Sequence, residues 1–283
     1  MKPPPSPFAP RPNATEQALQ AAAFALQANR PAEAERIAGE VSRRNRSDPR
    51  AAQLYGYALL MQGKAKDAIP PLERAFKQTR DPAVETQLAM ALREAGQTEQ
   101  ALERFQHAVS RKPVFPPAFL EYSVLLLNLD RTAEAIDLMK HGAALAPEFG
   151  DLSLQLAREL SGEGELEASR DVLLRAHAAA PKNCDVLFSL ARTHQAMHDF
   201  ERAAETYRLI LKMMPQDGAS KVGLGICLLE LGREDEALVQ LREASRMSDK
   251  LLGEAIVALI DAGRGRFWLK PSEAKRMLRG ETK

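Results

Sequence analysis

His194 and His198 stand four residues apart, a separation that sets two imidazoles on one face of a helix and within reach of one metal ion. A zinc site of the HExxH kind needs a glutamate beside the first histidine, and Gln195 stands there instead. Gly223-Leu224-Gly225 has the opening of a dinucleotide-binding loop. No strand is expected before it, and no third glycine follows at the required place. The chain has no GxxxxGK[ST] phosphate loop and no GxSxG nucleophile elbow. Cys184 and Cys227 lack both CxxC spacing and a local activating motif, so each is expected to be a small packing residue. Carboxylates are plentiful, but most fall on outward helix faces, where solvated charges belong. Acid–base groups converging from distant parts of the chain stay open in principle and have no positive support. The expectation is therefore no catalytic residue, no metal site and no cofactor; the chain is read as no enzyme.

The elements that would position these side chains are repeated. Prolines fall at 113, 147, 181 and 215, each 34 residues after the last. Twelve residues before them sit Ala101, Ala135, Ser169 and Ala203, and the series extends to Ala34, Ala68 and Ala237 with a single step of 33. Twelve residues earlier again come Ala22, Gly56, Ala89, Ser123, Ala157, Ala191 and Gly225, all small. Small residues at matched positions of two helices let the helices approach closely where their ridges cross. Around that series run Ala21, Tyr55, Leu88, Tyr122, Leu156, Leu190 and Leu224, and then Ala25, Leu59, Leu92, Leu126, Leu160, His194 and Leu228. This is the spacing of a buried helix face. A second helix carries Leu72, Phe105, Met139, Leu173, Tyr207 and Leu241 on its inner stripe. Between the two helices one position holds Asn29, Gly63, Gly96, Asp130, Gly164, His198 and Gly232. These are the residue types that tolerate the positive φ on which helices commonly end. The repeat thus accounts for both histidines: His194 belongs to the core face and His198 to the turn.

With this period and these positions, as in Leu224-Gly225, Glu236-Ala237, Leu241 and Ala244, the chain resembles the tetratricopeptide repeat family. The resemblance implies an all-α, right-handed solenoid superhelix of about seven helix–turn–helix repeats with a C-terminal capping helix. Repeats are expected to begin near residues 15, 49, 82, 116, 150, 184 and 218. The first is the least regular, as terminal repeats often are.

Composition agrees with an all-helical chain. Of 283 residues 45% are apolar and only 5% aromatic, and the helix formers Ala, Leu, Glu, Arg and Gln dominate. A net charge of +1 speaks against a globally basic nucleic-acid binder. The longest apolar run, Val124-Leu125-Leu126-Leu127, is far shorter than the roughly 18 residues of a membrane span. The first residues have no apolar core of a secretory signal, so a cytoplasmic protein is expected. Residues 1–13 hold six prolines and are read as a disordered or polyproline-like leader, with Pro4 and Pro7 in PxxP spacing. Residues 14–250 form the array, and 251–283 a capping helix and basic tail. From Arg264 on, the tail has seven basic and two acidic residues and the sole tryptophan, Trp268. It reads as a lid in which Phe267 and Trp268 pack on the last helix, as a link to a further domain, or as an anchor for an acidic surface.

At 100° per residue, the core stripe of each first helix, at repeat positions 4, 7, 8 and 11, leaves a second stripe at positions 2, 5, 9 and 12, displaced by roughly 130°. The family resemblance implies that this stripe lines a concave, peptide-binding groove. It carries Arg50, Gln53 and Tyr57 in the second repeat, Thr86, Met90 and Arg93 in the third, and Leu120, Val124 and Leu127 with neighbouring Asn128 in the fourth. Leu154 and Arg158 follow, then Phe188, Arg192 and Gln195, and last Val222, Ile226 and Leu229. An apolar patch flanked by Arg93, Arg158 and Arg192 predicts a protein or peptide ligand with apolar anchors and an acidic group. The alternative is that these residues touch neighbouring helices. The Lys–Asn clamp of chaperone-tail binders is missing: Arg50 and Leu54, Ala83 and Gln87, and Pro117 and Glu121 occupy its places. The function expected is a non-enzymatic scaffold or adaptor. The rival readings are the recruiting module of a larger transferase-type enzyme, and self-assembly through the end helices.

Overall fold

The hairpins are built on local signals that recur with the repeat. In a computed structural model that describes residues 14–262 and 270–279, these residues form sixteen α-helices and no strand. First and second helices alternate: α1 (Ala14–Gln27) with α2 (Pro31–Arg44), α3 (Pro49–Leu60) with α4 (Ala65–Thr79), and α5 (Pro82–Glu94) with α6 (Thr98–Ser110). Then come α7 (Pro116–Asn128) and α8 (Thr132–Leu145), α9 (Gly150–Gly162) and α10 (Leu166–Ala179), and α11 (Cys184–Ala196) and α12 (Phe200–Met213). The last hairpin is α13 (Gly218–Glu230) and α14 (Glu234–Ser245), followed by α15 (Asp249–Ala262) and α16 (Pro271–Arg279). Seven hairpins and a capping helix thus stand as the spacing predicts. The leader and the Phe267-Trp268 segment lie outside the described residues.

Each hairpin closes in the same way. The seven turn residues, Asn29, Gly63, Gly96, Asp130, Gly164, His198 and Gly232, all have φ between 53° and 82°. After each, the next N–H donates to the carbonyl of the residue five back. Examples are Lys64 to Leu59 at 3.0 Å, Glu165 to Leu160 at 2.8 Å and Asp199 to His194 at 2.9 Å. This six-to-one bond is the Schellman closure, which satisfies a carbonyl that the helix end leaves free. The acceptors are the position-11 core residues, so the turn is locked to the buried face. Four first helices start on side-chain caps: Asp48, Asp81, Asn183 and Asp217 accept from N–H groups of their own first turns. The prolines at 147, 181 and 215 follow second helices and lie outside them.

The small residues do what their size allows. Ala34, Ala68, Ala101, Ala135, Ser169, Ala203 and Ala237 are all completely buried. At the facing position in α3 and α13, Gly56 and Gly225 leave room for Leu72 and Leu241. A Cβ there would stand 2.6 Å from Leu72 Cγ and 2.7 Å from Leu241 Cγ. Large second-helix residues fill the rest of the core: Leu72, Phe105, Met139, Leu173, Tyr207 and Leu241 are each at most 1% exposed. Burying one such side chain stabilises by about 1.5–3 kcal/mol. In the first repeat Ala21, placed on the core face by the spacing, is exposed.

The chain divides into two units, Met1–Leu138 and Met139–Lys283, with the division inside α8. In the first, each second helix packs on the following first helix (α2 on α3, α4 on α5, α6 on α7), and successive first helices touch (α1–α3, α3–α5, α5–α7). No comparable contact joins α2 to α4 or α4 to α6. In the second unit α10 packs on α11 and α12 on α13, and α9–α11, α11–α13 and α13–α15 form the layer of first helices. Helix α15 thereby takes the place of a further first helix. Helix α16 lies on α14 and α15 through the buried Ala274 and Leu278.

Candidate functional site

In the second unit the outward stripe of α9 faces that of α11. Helix α9 turns Leu152, Leu156 and Leu160 into the core, which sends Leu154, Arg158 and Ser161 to the other side. Helix α11 buries Val186, Leu187, Leu190 and Ala191 and presents Asp185, Phe188, Ser189 and Arg192. These side chains, with Ala157, Thr193 and Ala196, line an open groove of about 420 Å³. Four predicted residues, Leu154, Arg158, Phe188 and Arg192, therefore meet in one place. Leu154 and Phe188 are half-buried and both arginines exposed. Phe188 is held by an edge-on contact with the Tyr207 ring, with centroids 5.7 Å apart. Arg158 Nη1 donates to Gln155 Oε1 at 3.1 Å, and Arg192 forms no hydrogen bond or ion pair among the described residues. Asp185 and Arg192 lie two turns apart on α11, roughly 10 Å along its axis. The groove thus offers an apolar floor, two guanidinium groups able to take a carboxylate, and a carboxylate near one end.

Gln195, also predicted for the groove, serves the core instead. Its Oε1 accepts from the Tyr207 hydroxyl at 2.7 Å, and it is a partner of the Cys227 thiol. Burial pushes that thiol up to about 12, so Cys227 stays protonated and inert at neutral pH. His194 is buried at the core position, with Nδ1 4.0 Å from Asp199 Oδ2, and burial lowers its pKa. His198 is exposed at the turn, edge-on to Phe200. Gly223 and Gly225 lie inside α13, in no loop that could cradle a phosphate. Among the described residues no group of three His, Cys, Asp or Glu side chains could hold a metal ion. No helix among them is long and apolar enough to cross a membrane.

In the first unit the predicted stripe is tied up between helices. Arg93 donates from Nη1 to Glu121 Oε2 at 3.0 Å and from Nε to Glu94 Oε1 at 3.2 Å, and its side chain is only 16% exposed. It links α5 to α7 and is not open to a ligand carboxylate. Gln53 donates to Gln87 Oε1 at 3.2 Å, linking α3 to α5. Tyr57, Met90, Leu120, Val124 and Leu127 are half-buried, and Asn128 is exposed. Here contact with neighbouring helices, the alternative in the sequence, describes Gln53 and Arg93.

Two features go beyond the stripe argument: what faces its last members, and charges on the core face. Val222, Ile226 and Leu229 of α13 meet Gly253, Val257 and Ala258 of α15 around an apolar opening of about 560 Å³. A cap was expected from α15, and it also supplies one wall of this opening. Core position 4 twice holds a charge. Glu85 is completely buried, with Oε1 2.7 Å from His107 Nδ1 and 3.9 Å from Arg104 Nη1, and Oε2 3.5 Å from Arg111 Nη1. Lys221 donates to Glu243 Oε2 at 2.5 Å. Both partners sit 22 residues downstream. A charge at a position otherwise held by Ala18, Ala52, Phe119, Ser153 and Leu187 was the signal available in the sequence.

Among solved structures the chain is similar to the C-terminal part of a TPR repeat-containing protein from Cytophaga hutchinsonii. The identity is 14%, over 83% of this chain and 98% of that one, with a TM-score of 0.60. It is also similar to PilF of Pseudomonas aeruginosa (17%, 74% and 95%, TM-score 0.53). A third is human IFIT1, as a dimer with m7Gppp-AAAA (14%, 98% and 71%, TM-score 0.56). At these identities the likeness concerns the fold. A sequence comparison with curated proteins finds no match. The tetratricopeptide repeat family profile matches residues 19–83, 86–148 and 188–250, more than half of the chain. This chain belongs to the tetratricopeptide repeat family.

Proposed function

We propose that this chain is a non-enzymatic adaptor whose α9–α11 groove holds a segment of another protein. The observation that carries the reading is the pair of exposed guanidinium groups, Arg158 and Arg192, over the half-buried Leu154 and Phe188. A chain that keeps an apolar groove and an unpaired arginine side by side has a surface complementary to a large apolar residue next to an acid. Asp185 gives the groove a direction. A ligand that sets its acid at Arg192 places a basic or hydrogen-bonding group roughly two turns away. With Arg93 engaged by Glu94 and Glu121, the acid-binding role expected of three arginines rests on two.

The test is selection of a displayed random-peptide library on the wild-type chain, followed by binding measurements on the Arg158→Glu/Arg192→Glu variant. Enriched peptides should pair an aromatic or long aliphatic residue with Asp or Glu. The variant should bind them at least tenfold more weakly, since a hydrogen bond to a charged group contributes about 1.5–3 kcal/mol. Both arginines are exposed, so the melting temperature should not move. Peptides that bind wild type and variant equally would remove the groove from the account.

A further inference from the structure

On the other layer of the first unit a groove lies between α4 and α6, whose backbones do not pack closely on each other. The connection from α4 to α5 is the point at which the repeat shortens to 33 residues, and only Arg80 and Asp81 bridge the two helices. Arg80 reverses the chain at φ 52°, ψ 26°. It is the single residue outside the hairpin turns with a positive φ among the described residues. Glycine or asparagine takes such a position most readily, so an arginine there draws attention to its side chain.

That side chain lies over the Phe76 ring, its guanidinium carbon 5.4 Å from the centroid, and Arg104 of α6 lies over the same ring at 5.6 Å. Phe76 is itself 3% exposed, so the ring is a fixed platform for both cations. Beneath them Glu85 holds His107 by Nδ1, which leaves the other ring nitrogen to the surface, and His107 is more than half exposed. Arg80, Arg104 and His107, with Gln106, Ser110 and Glu103, line one cavity of about 450 Å³. Arg80 forms no ion pair among the described residues. The carboxylate of Glu85 is completely buried and shared by His107, Arg104 and Arg111, so at the mouth two guanidinium groups stand against the one carboxylate of Glu103.

We infer that the α4–α6 groove binds an acidic segment of a partner protein, its carboxylate or phosphoryl group held between Arg80 and Arg104. Two pre-positioned guanidinium groups suit planar or tetrahedral oxyanions, and Gln106 and Ser110 supply neutral hydrogen bonds beside them. A protein segment fits better than a nucleic acid. Two guanidinium groups match a single acidic side chain, whereas a nucleic-acid backbone needs a longer basic track, which a chain of net charge +1 does not favour. The site is separate from the α9–α11 groove, and different substitutions report on each.

Fluorescence anisotropy on the full chain tests this, with labelled peptides of alternating Glu and Gly, a Gly-rich peptide with one phosphoserine, a Lys–Gly peptide and an oligoadenylate RNA. The acidic peptides should bind and the Lys–Gly peptide should not. The relative affinity of the Glu and phosphoserine arms identifies the preferred oxyanion. Arg80→Gly and Arg104→Gln should each weaken binding about tenfold. Arg80→Gly should leave the melting temperature unchanged or higher, because glycine adopts that backbone conformation without strain. A residue kept for structure alone would not separate stability from binding in this way. The inference is overturned if neither acidic peptide binds, or if affinity survives both substitutions. A preference for the RNA overturns it equally, as does a loss that appears only in Arg158→Glu/Arg192→Glu.

Discussion

Gly223 and Tyr207 form a pair whose coupling can be worked out in advance. Tyr207 of α12 is 1% exposed. Its hydroxyl is anchored on Gln195 of α11, and its ring lies against Gly223 of α13. A Cβ built on Gly223 would overlap the ring carbons Cζ, Cε1 and Cε2, and the anchored ring has no free side to move into. In an ordinary helix interior Gly→Ala is worth about 1 kcal/mol in favour of folding. Here the overlap adds an overpacking cost of about 1–3 kcal/mol, so Gly223→Ala should destabilise by about 1 kcal/mol net. Tyr207→Leu introduces the residue found at the same position in α4, α10 and α14. Alone it should cost about 2–3 kcal/mol through the lost ring volume and hydroxyl bond. It also vacates the space above Gly223, and in that background Gly223→Ala should regain its intrinsic benefit of about 1 kcal/mol. The expected coupling is therefore about 2 kcal/mol. Urea unfolding of the four proteins of this cycle, followed by far-ultraviolet circular dichroism and compared at matched m-values, measures it. If Gly223→Ala costs the same in both backgrounds, ring overlap is not why a glycine stands at that position.

Three further substitutions test the buried polar groups. Because burial lowers the His194 pKa, the unfolded chain takes up the proton more readily than the folded one. The stability present above about pH 6.5 should fall as the pH drops from there toward the lowered folded value. His194→Leu, the residue type found at that position in α3, α5, α7, α9 and α13, should flatten this slope in urea titrations at a series of pH values. An unchanged slope would assign the titration to another group. Lys221 and Glu243 should behave asymmetrically. Glu243→Gln leaves a buried ammonium with a weaker partner and should cost about 2 kcal/mol or more, whereas Lys221→Met removes the charge and should cost little. Equal losses in thermal unfolding would contradict that account.

The sequence by itself determined the local architecture. Helix faces, turn positions and the small-residue contacts all follow from interactions within one hairpin, and each recurs often enough for the period to expose it. Seven residues of four types share a positive φ because a single backbone demand selects them, and that demand is visible without coordinates. Whether an outward side chain is free for a ligand was decided by the tertiary structure. Arg93 and Arg192 both belong to the outward stripe, but Arg93 is held between Glu94 and Glu121, while Arg192 stands open beside Phe188. Gln195 likewise turned inward to Tyr207. Partners of this kind come from an adjacent residue or from another helix, and a hydrogen bond depends on angstrom-scale placement that no periodicity specifies. The meeting of Arg80 and Arg104 on one phenylalanine is of the same origin: a one-residue shortening is legible in the chain, but the convergence of two guanidinium groups is a property of the packed helices.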